Sequence, residues 1–204
     1  MINNGKWLET DALREAVLAL EMVSEQASKI DEDLYRWKWV ILALHNALQG
    51  FMVLALRGTN NLNVISKKDA QAWIEAYDAD QALPSTKLDD FLSLYKKIKS
   101  DAMLMWTCSK KYTTSGQQGW SIKKLNTLRN NFIHFLPSNY AIQISGLPNI
   151  CIDCINIIRF LGWESGNIFW QGYKDLESTA LQALDSSQEI MNILAPNPRP
   201  QNKT

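Results

Sequence analysis

Apolar side chains recur at every third or fourth position along most of this chain. In residues 10–30 they form one stripe: Leu13, Val17, Leu20, Val23, Ala27 and Ile30. This spacing is the periodicity of one face of an α-helix, whereas the alternation typical of a half-buried strand is nearly absent. Similar stripes follow, one of them in residues 86–106. They predict an all-α protein, a single helical bundle domain of about six helices in residues 1–195.

Two segments depart from the helical pattern. Residues 139–147 carry no helical stripe and predict a short extended excursion between two helices. Residues 196–204 are polar and rich in proline, which is typical of a disordered tail.

The segment 39–58 is apolar on almost every face and is nearly long enough to cross a membrane. Four residues near its middle would be tolerated poorly by hydrocarbon: His45, Asn46, Gln49 and Gly50. We therefore interpret the segment as a helix buried in the core or in a dimer interface, and we expect no membrane association.

Composition narrows the class of protein further. Among 204 residues, 21 Lys and Arg balance 21 Asp and Glu, so the chain lacks the large basic surface that coats long duplex DNA. Cys151 and Cys154 would need two further ligands to hold zinc, and neither histidine stands at the required spacing. The three cysteines do not suggest a disulfide framework, and the N-terminus has no signal-peptide pattern. We therefore expect a cytoplasmic protein that needs no metal or other cofactor.

A polar face that contains one of the two histidines lies on the helix predicted for residues 120–135. If Phe132 points to the core, a rotation of about 100° per residue puts the leucines of this helix on the buried side. Asn130 and His134 then fall about 160° from the core direction, on the face that also carries Lys123. The pattern indicates that His134 faces solvent or a second subunit.

Arg129 lies on the shoulder of the buried stripe, about 140° from His134 on a straight helix. The two side chains therefore cannot meet unless the helix is distorted or a second chain supplies one of them. A two-fold axis can bring the same patch of two subunits together, so we expect a homodimer with a composite site at the axis.

The sequence "RNNFIH" at 129–134 resembles the R-x(4–6)-H motif of the HEPN superfamily, in which a polar residue often follows the arginine. The resemblance implies a small all-α bundle that carries the motif on one helix, with two copies meeting across a dimer. Many members are metal-independent ribonucleases of toxin–antitoxin, CRISPR-associated and antiphage systems. Others keep the fold without catalysis.

This resemblance implies that RNA is cleaved by attack of its own 2′-hydroxyl, which leaves a 2′,3′-cyclic phosphate and a 5′-hydroxyl. His134 is the expected general base or acid, Arg129 the phosphate-binding group and Asn130 the group that orients them. The residues expected to contact RNA are Lys123, Asn126, Lys110 and Lys111.

Two alternatives remain open. The chain is either an active ribonuclease, with an antitoxin or another protein as a possible partner, or a catalytically silent HEPN-like module that binds RNA or a protein. The second histidine, His45, makes either a polar contact inside the apolar helix or a contribution to the site near Arg129.

Overall fold

The computed structural model describes residues 7–134, 139 and 141–196, and seven α-helices account for most of these residues. They are α1 (Ala12–Ala27), α2 (Arg36–Leu56), α3 (Lys67–Asp78), α4 (Phe91–Lys97), α5 (Gln118–Ile133), α6 (Leu147–Arg159) and α7 (Lys174–Leu194). A π-helical turn, Phe160–Glu164, continues α6. Since the described residues form no strand, the prediction of an all-α fold is confirmed.

The helix α2 forms the centre of the bundle because it is apolar on almost every face. Most of its side chains are buried, and α1, α4, α5 and α6 all pack against it. The helix α7 covers the outer side of α1 and also contacts α6. The buried side chains form one hydrophobic cluster, which places the core along α2.

Two helical segments, Arg36–Leu56 and Ile144–Glu164, are long and apolar enough to cross a membrane by length and composition alone. Within the folded chain 67% of the first apolar window and 61% of the second are buried. A core helix has the same length and composition, so these segments are only weak evidence for a membrane.

Side chains that precede the helices explain where several of them begin. Asp11 accepts hydrogen bonds from the backbone N–H groups of Leu13 at 2.8 Å and Arg14 at 2.9 Å, and so caps α1. Ser66 caps α3 by accepting from the Asp69 N–H at 3.0 Å. These short polar side chains satisfy donors that have no partner within the helix.

The helix predicted for residues 86–106 is much shorter in the structure. The carboxylate of Asp90 caps α4, and the helix ends at Lys97. Asp89 is held from outside the helix, because its carboxylate pairs with Lys97 at 2.8 Å and its N–H donates to the Val64 carbonyl at 2.9 Å. This contact with a distant part of the chain keeps the preceding residues out of the helix, which local periodicity could not indicate.

The excursion predicted around 139–147 forms no strand in its described part. A 3₁₀ turn at Ile144–Gly146 ends it, and Leu147 begins α6. The tail predicted for 196–204 lies outside the described residues from position 197 onward.

The last helix returns to the first one and closes the bundle. The Ser24 hydroxyl donates to the Ser186 hydroxyl at 3.0 Å, across 162 positions of sequence. An ion pair between Arg159 and Asp185 at 2.6 Å joins the same helix to α6. The helix α7 is therefore held on two sides.

Gly50 marks the closest approach of α1 and α2. A Cβ atom built on Gly50 would lie 2.8 Å from the Ala16 Cβ, which is too close for two carbon atoms. We expect Gly50→Ala to lower the free energy of unfolding by about 1–2 kcal/mol, because overpacking outweighs the gain in helix propensity. Urea unfolding measures this difference.

Gly119→Ala is the matched control, since a Cβ there meets no atom within 4 Å although Gly119 is also in a helix. It should raise the free energy of unfolding by about 0.5–1 kcal/mol, the usual benefit of alanine over glycine. If Gly50→Ala stabilises the protein as much as Gly119→Ala, α1 and α2 separate without cost and the close approach has no structural role.

Candidate functional site

The C-terminal end of α5 carries the three residues of the proposed motif. Leu125 and Leu128 hold this helix in the core, and both are buried as the apolar stripe predicts. His134 directly follows the last residue of α5, and its backbone N–H donates to the Asn130 carbonyl at 3.0 Å. The His134 side chain is exposed, and Asn130 stands one turn before it. Solvent can therefore reach the imidazole directly.

Arg129 is partly buried and is joined to its neighbour. Its Nη1 group donates to the Asn130 Oδ1 atom at 3.1 Å. Its Nε atom is buried and has no hydrogen-bond partner among the described residues. This guanidinium keeps donors for a further acceptor, and Asn130 links it to the face that carries His134.

His45 lies on α2 opposite Arg129 and is only 1% exposed. Its Nε2 atom lies 3.1 Å from the Asn126 Oδ1 atom, so the ring donates through Nε2–H and keeps the Nδ1 lone pair. The ring stacks on Phe91 of α4 with centroids 4.0 Å apart. The sequence left two roles open for His45. Its contact with Asn126 corresponds to the first of them, a polar contact in the core.

The pKa of His45 is lowered from its usual value of 6.5 to about 4. Burial is the largest cause, since a charged imidazole would lose its hydration. The hydrogen bond to Asn126 acts in the opposite direction, and the positive charge of Arg129 lowers the pKa further. His45 is consequently neutral near pH 7, and Arg129 is close enough to influence it.

The structure brings together Arg129, Asn126, Asn130 and His45, but it leaves His134 apart. No hydrogen bond or ion pair connects the His134 side chain to another residue within the described ranges. A single chain therefore contains one buried imidazole near Arg129 and one exposed imidazole at the helix end. The only signal in the sequence for the buried imidazole was that a histidine, His45, stands in an otherwise apolar helix.

The predicted RNA-contacting residues do not form one surface. Lys123 is exposed on α5, whereas the side-chain oxygen of Asn126 is engaged by His45. Lys110 and Lys111 lie in the loop before α5, and this helix of 16 residues spans about 24 Å to His134. Lys111 also pairs with Asp101 at 2.9 Å. These two lysines are thus at the opposite end of α5 from the motif.

An apolar cavity of about 480 Å³ opens beside the C-terminal end of α5. Leu128 and Phe132 form one wall, and Trp37 and Ile41 from the start of α2 form another. Leu34 and Tyr35, which directly precede α2, also line this cavity and are exposed. This surface near the C-terminal end of α5 can therefore accept another apolar surface.

The described residues contain no group of three or more His, Cys, Asp and Glu side chains that could hold a metal ion. Cys151 and Cys154 are free thiols buried on α6. Burial raises the pKa of Cys151 to about 12, so this thiol stays protonated and unreactive near neutral pH.

The geometry at the end of α5 combines an exposed imidazole, an amide one turn away and a guanidinium joined to that amide. Comparisons with protein-family models, with curated proteins and with solved structures give no match for this chain.

Proposed function

We propose that this chain is a metal-independent endoribonuclease of the HEPN type. The observation that carries the proposal is the hydrogen bond of 3.1 Å from Arg129 to Asn130, one helical turn before the exposed His134. A phosphate-binding group and an acid–base group are thus attached to the same end of one rigid helix. Such placement of catalytic groups on a helix favours precise geometry.

Cleavage needs one proton removed and one proton supplied. The 2′-oxygen of RNA forms a bond to phosphorus as its proton leaves, and the bond from phosphorus to the 5′-oxygen breaks as that oxygen gains a proton. An imidazole can perform either transfer near neutral pH. The planar donors of Arg129 match the phosphate oxygens whose charge increases on the way to the transition state.

We further propose that the active unit is a homodimer with a composite site. Among the described residues, no hydrogen bond or ion pair joins Arg129 and His134 within one chain, while exposed apolar residues and a cavity lie near the C-terminal end of α5. A two-fold axis through this surface would set Arg129 of one subunit near His134 of the other. The proposed setting is a cytoplasmic toxin–antitoxin or antiphage system, in which an antitoxin could cover the same surface.

The direct test is cleavage of labelled single-stranded RNA by the purified protein in EDTA. We expect internal cuts whose products carry 2′,3′-cyclic phosphate and 5′-hydroxyl ends. Sensitivity of the 5′ fragments, whose new 3′ ends carry the cyclic phosphate, to a cyclic phosphodiesterase identifies these ends. If the products carry 5′-phosphates, or if cutting requires added metal, the mechanism is a different one.

The second candidate is a catalytically silent helical module that binds RNA or a protein. The apolar cavity at the start of α2 favours this alternative, because its walls would suit a hydrophobic anchor from a partner. The same assay separates the two functions, since a silent module leaves RNA intact at every protein concentration.

A further inference from the structure

A second cavity, of about 450 Å³, lies at the C-terminal end of α2. It is at the other end of this helix from Trp37 and Ile41, which line the first cavity. Its walls come from the start of α1, the end of α2 and the segment 167–173 that follows α6. None of these residues takes part in the proposed cleavage site, so the cavity requires its own explanation.

Two opposite charges line this cavity without pairing with each other. Arg57 directly follows α2, and its guanidinium makes no hydrogen bond or ion pair with a described residue. Asp11 uses only its Oδ1 atom to cap α1, which leaves Oδ2 as a free acceptor. The two side chains form no ion pair with each other, although both line the same cavity.

Three exposed aromatic rings complete the walls. Trp106 is 40% exposed, Phe169 61% and Tyr173 50%, and all three line the cavity. Trp106 and Phe169 pack edge to face with centroids 5.8 Å apart. Their remaining faces offer apolar area to a ligand, as aromatic residues in small-molecule sites commonly do.

The cavity wall is held in place by a buried amide. Asn167 is buried, and its Nδ2 group donates to the carbonyls of Ala55 and Met103, each at 2.9 Å. Its Oδ1 atom accepts from the Ser109 hydroxyl at 2.6 Å. Because this one side chain ties three segments together, the cavity is preformed and a ligand would not have to order it.

We propose that this cavity binds a free α-amino acid with a large apolar or aromatic side chain. The carboxylate pairs with Arg57, the ammonium group with Asp11, and the side chain packs on Trp106 and Phe169. A zwitterion satisfies both charges at once, whereas a nucleotide phosphate would be repelled by Asp11. The volume is also within the range of small-molecule sites. The inference is independent of the proposed ribonuclease.

Isothermal titration calorimetry of the full chain with L-phenylalanine tests the proposal. We expect saturable binding, with L-phenylalaninamide and N-acetyl-L-phenylalanine each at least about tenfold weaker because each lacks one charge. A similar affinity for all three compounds would overturn the assignment. So would the absence of saturation up to about 10 mM, or tighter binding of adenosine monophosphate than of phenylalanine.

Two variants locate the site without disturbing the fold. Asp11→Asn keeps a side chain that caps helices as well as aspartate does, but it removes the charge. Arg57→Gln removes the exposed guanidinium, which has no hydrogen-bond or ion-pair partner among the described residues. Each variant should bind L-phenylalanine at least about tenfold more weakly than the wild type, since a hydrogen bond to a charged group contributes this much to the binding free energy. Lys174→Gln is the control, because it removes one positive charge, as Arg57→Gln does, at a residue next to Tyr173. An equal loss of affinity in this control would refute the assignment.

Discussion

Replacing His134 by alanine should lower the rate of RNA cleavage by about two to four orders of magnitude. This range is the usual contribution of one acid–base group to an enzymatic rate. Stability should change little, because the His134 side chain is exposed and follows the end of α5. The single-turnover rate on a labelled RNA, with protein in excess, measures the effect apart from product release.

Two other variants and one mixture of variants test whether the loss of rate in His134→Ala is specific to the proposed site. Arg129→Lys keeps the charge but removes the planar fork, so we expect a large loss of rate there as well. Lys124→Ala changes an exposed residue of the same helix and should leave the rate unchanged. A mixture of His134→Ala and Arg129→Ala subunits should cut RNA faster than either variant alone, because a mixed dimer contains one intact pair. Equal rates for all these proteins would reject the catalytic assignment.

Acidification should destabilise this protein through His45. The unfolded chain takes up a proton near pH 6.5, whereas the folded chain holds the pKa of His45 at about 4. The unfolded state therefore binds more protons between these values, and the free energy of unfolding falls as the pH falls. Between about pH 7.5 and about pH 4.5 the loss from this one group is about 2–3 kcal/mol.

His45→Gln isolates this contribution, because glutamine can hydrogen-bond but does not titrate in this range. Whatever the stability of this variant at neutral pH, its loss of stability on acidification should be smaller than that of the wild type by about 2–3 kcal/mol. Asn46→Gln, a change of an exposed residue of the same helix that does not titrate, is the control and should keep the wild-type slope. Parallel urea-unfolding curves for His45→Gln and wild type across this pH range would contradict the lowered pKa.

Local periodicity was enough to predict most of the helices. The stripe from Leu13 to Ile30 is buried throughout, because α1 packs against both α2 and α7. The helix predicted for residues 86–106 is longer than α4, which covers only Phe91–Lys97. Its N-terminal limit depends on Asp89, which is held by Lys97 and by a backbone bond to Val64, and a contact across the chain leaves no periodic signal.

The candidate site was predictable only as far as a single helix determines it. The burial of Leu125 and Leu128 and the exposure of His134 follow from the helical wheel. The bond between His45 and Asn126 joins residues 81 positions apart, so only the packing of α2 against α5 could reveal it. The separation of Lys110 from His134 likewise depends on the direction in which α5 runs. Whether the motif cleaves RNA remains the prediction that the first assay tests.

The return of α7 to α1 has a consequence for the synthesis of this protein. Chains emerge from the ribosome with the N-terminal part first, so α1 and α2 can pair well before α7 exists. Until then, the side of α1 that faces Ser186 and its neighbours stays uncovered, because its cover is 162 positions away at the Ser24 contact. During this interval the nascent chain exposes an apolar surface, and a chaperone or the α7 helix of another chain could occupy it before the last helix arrives.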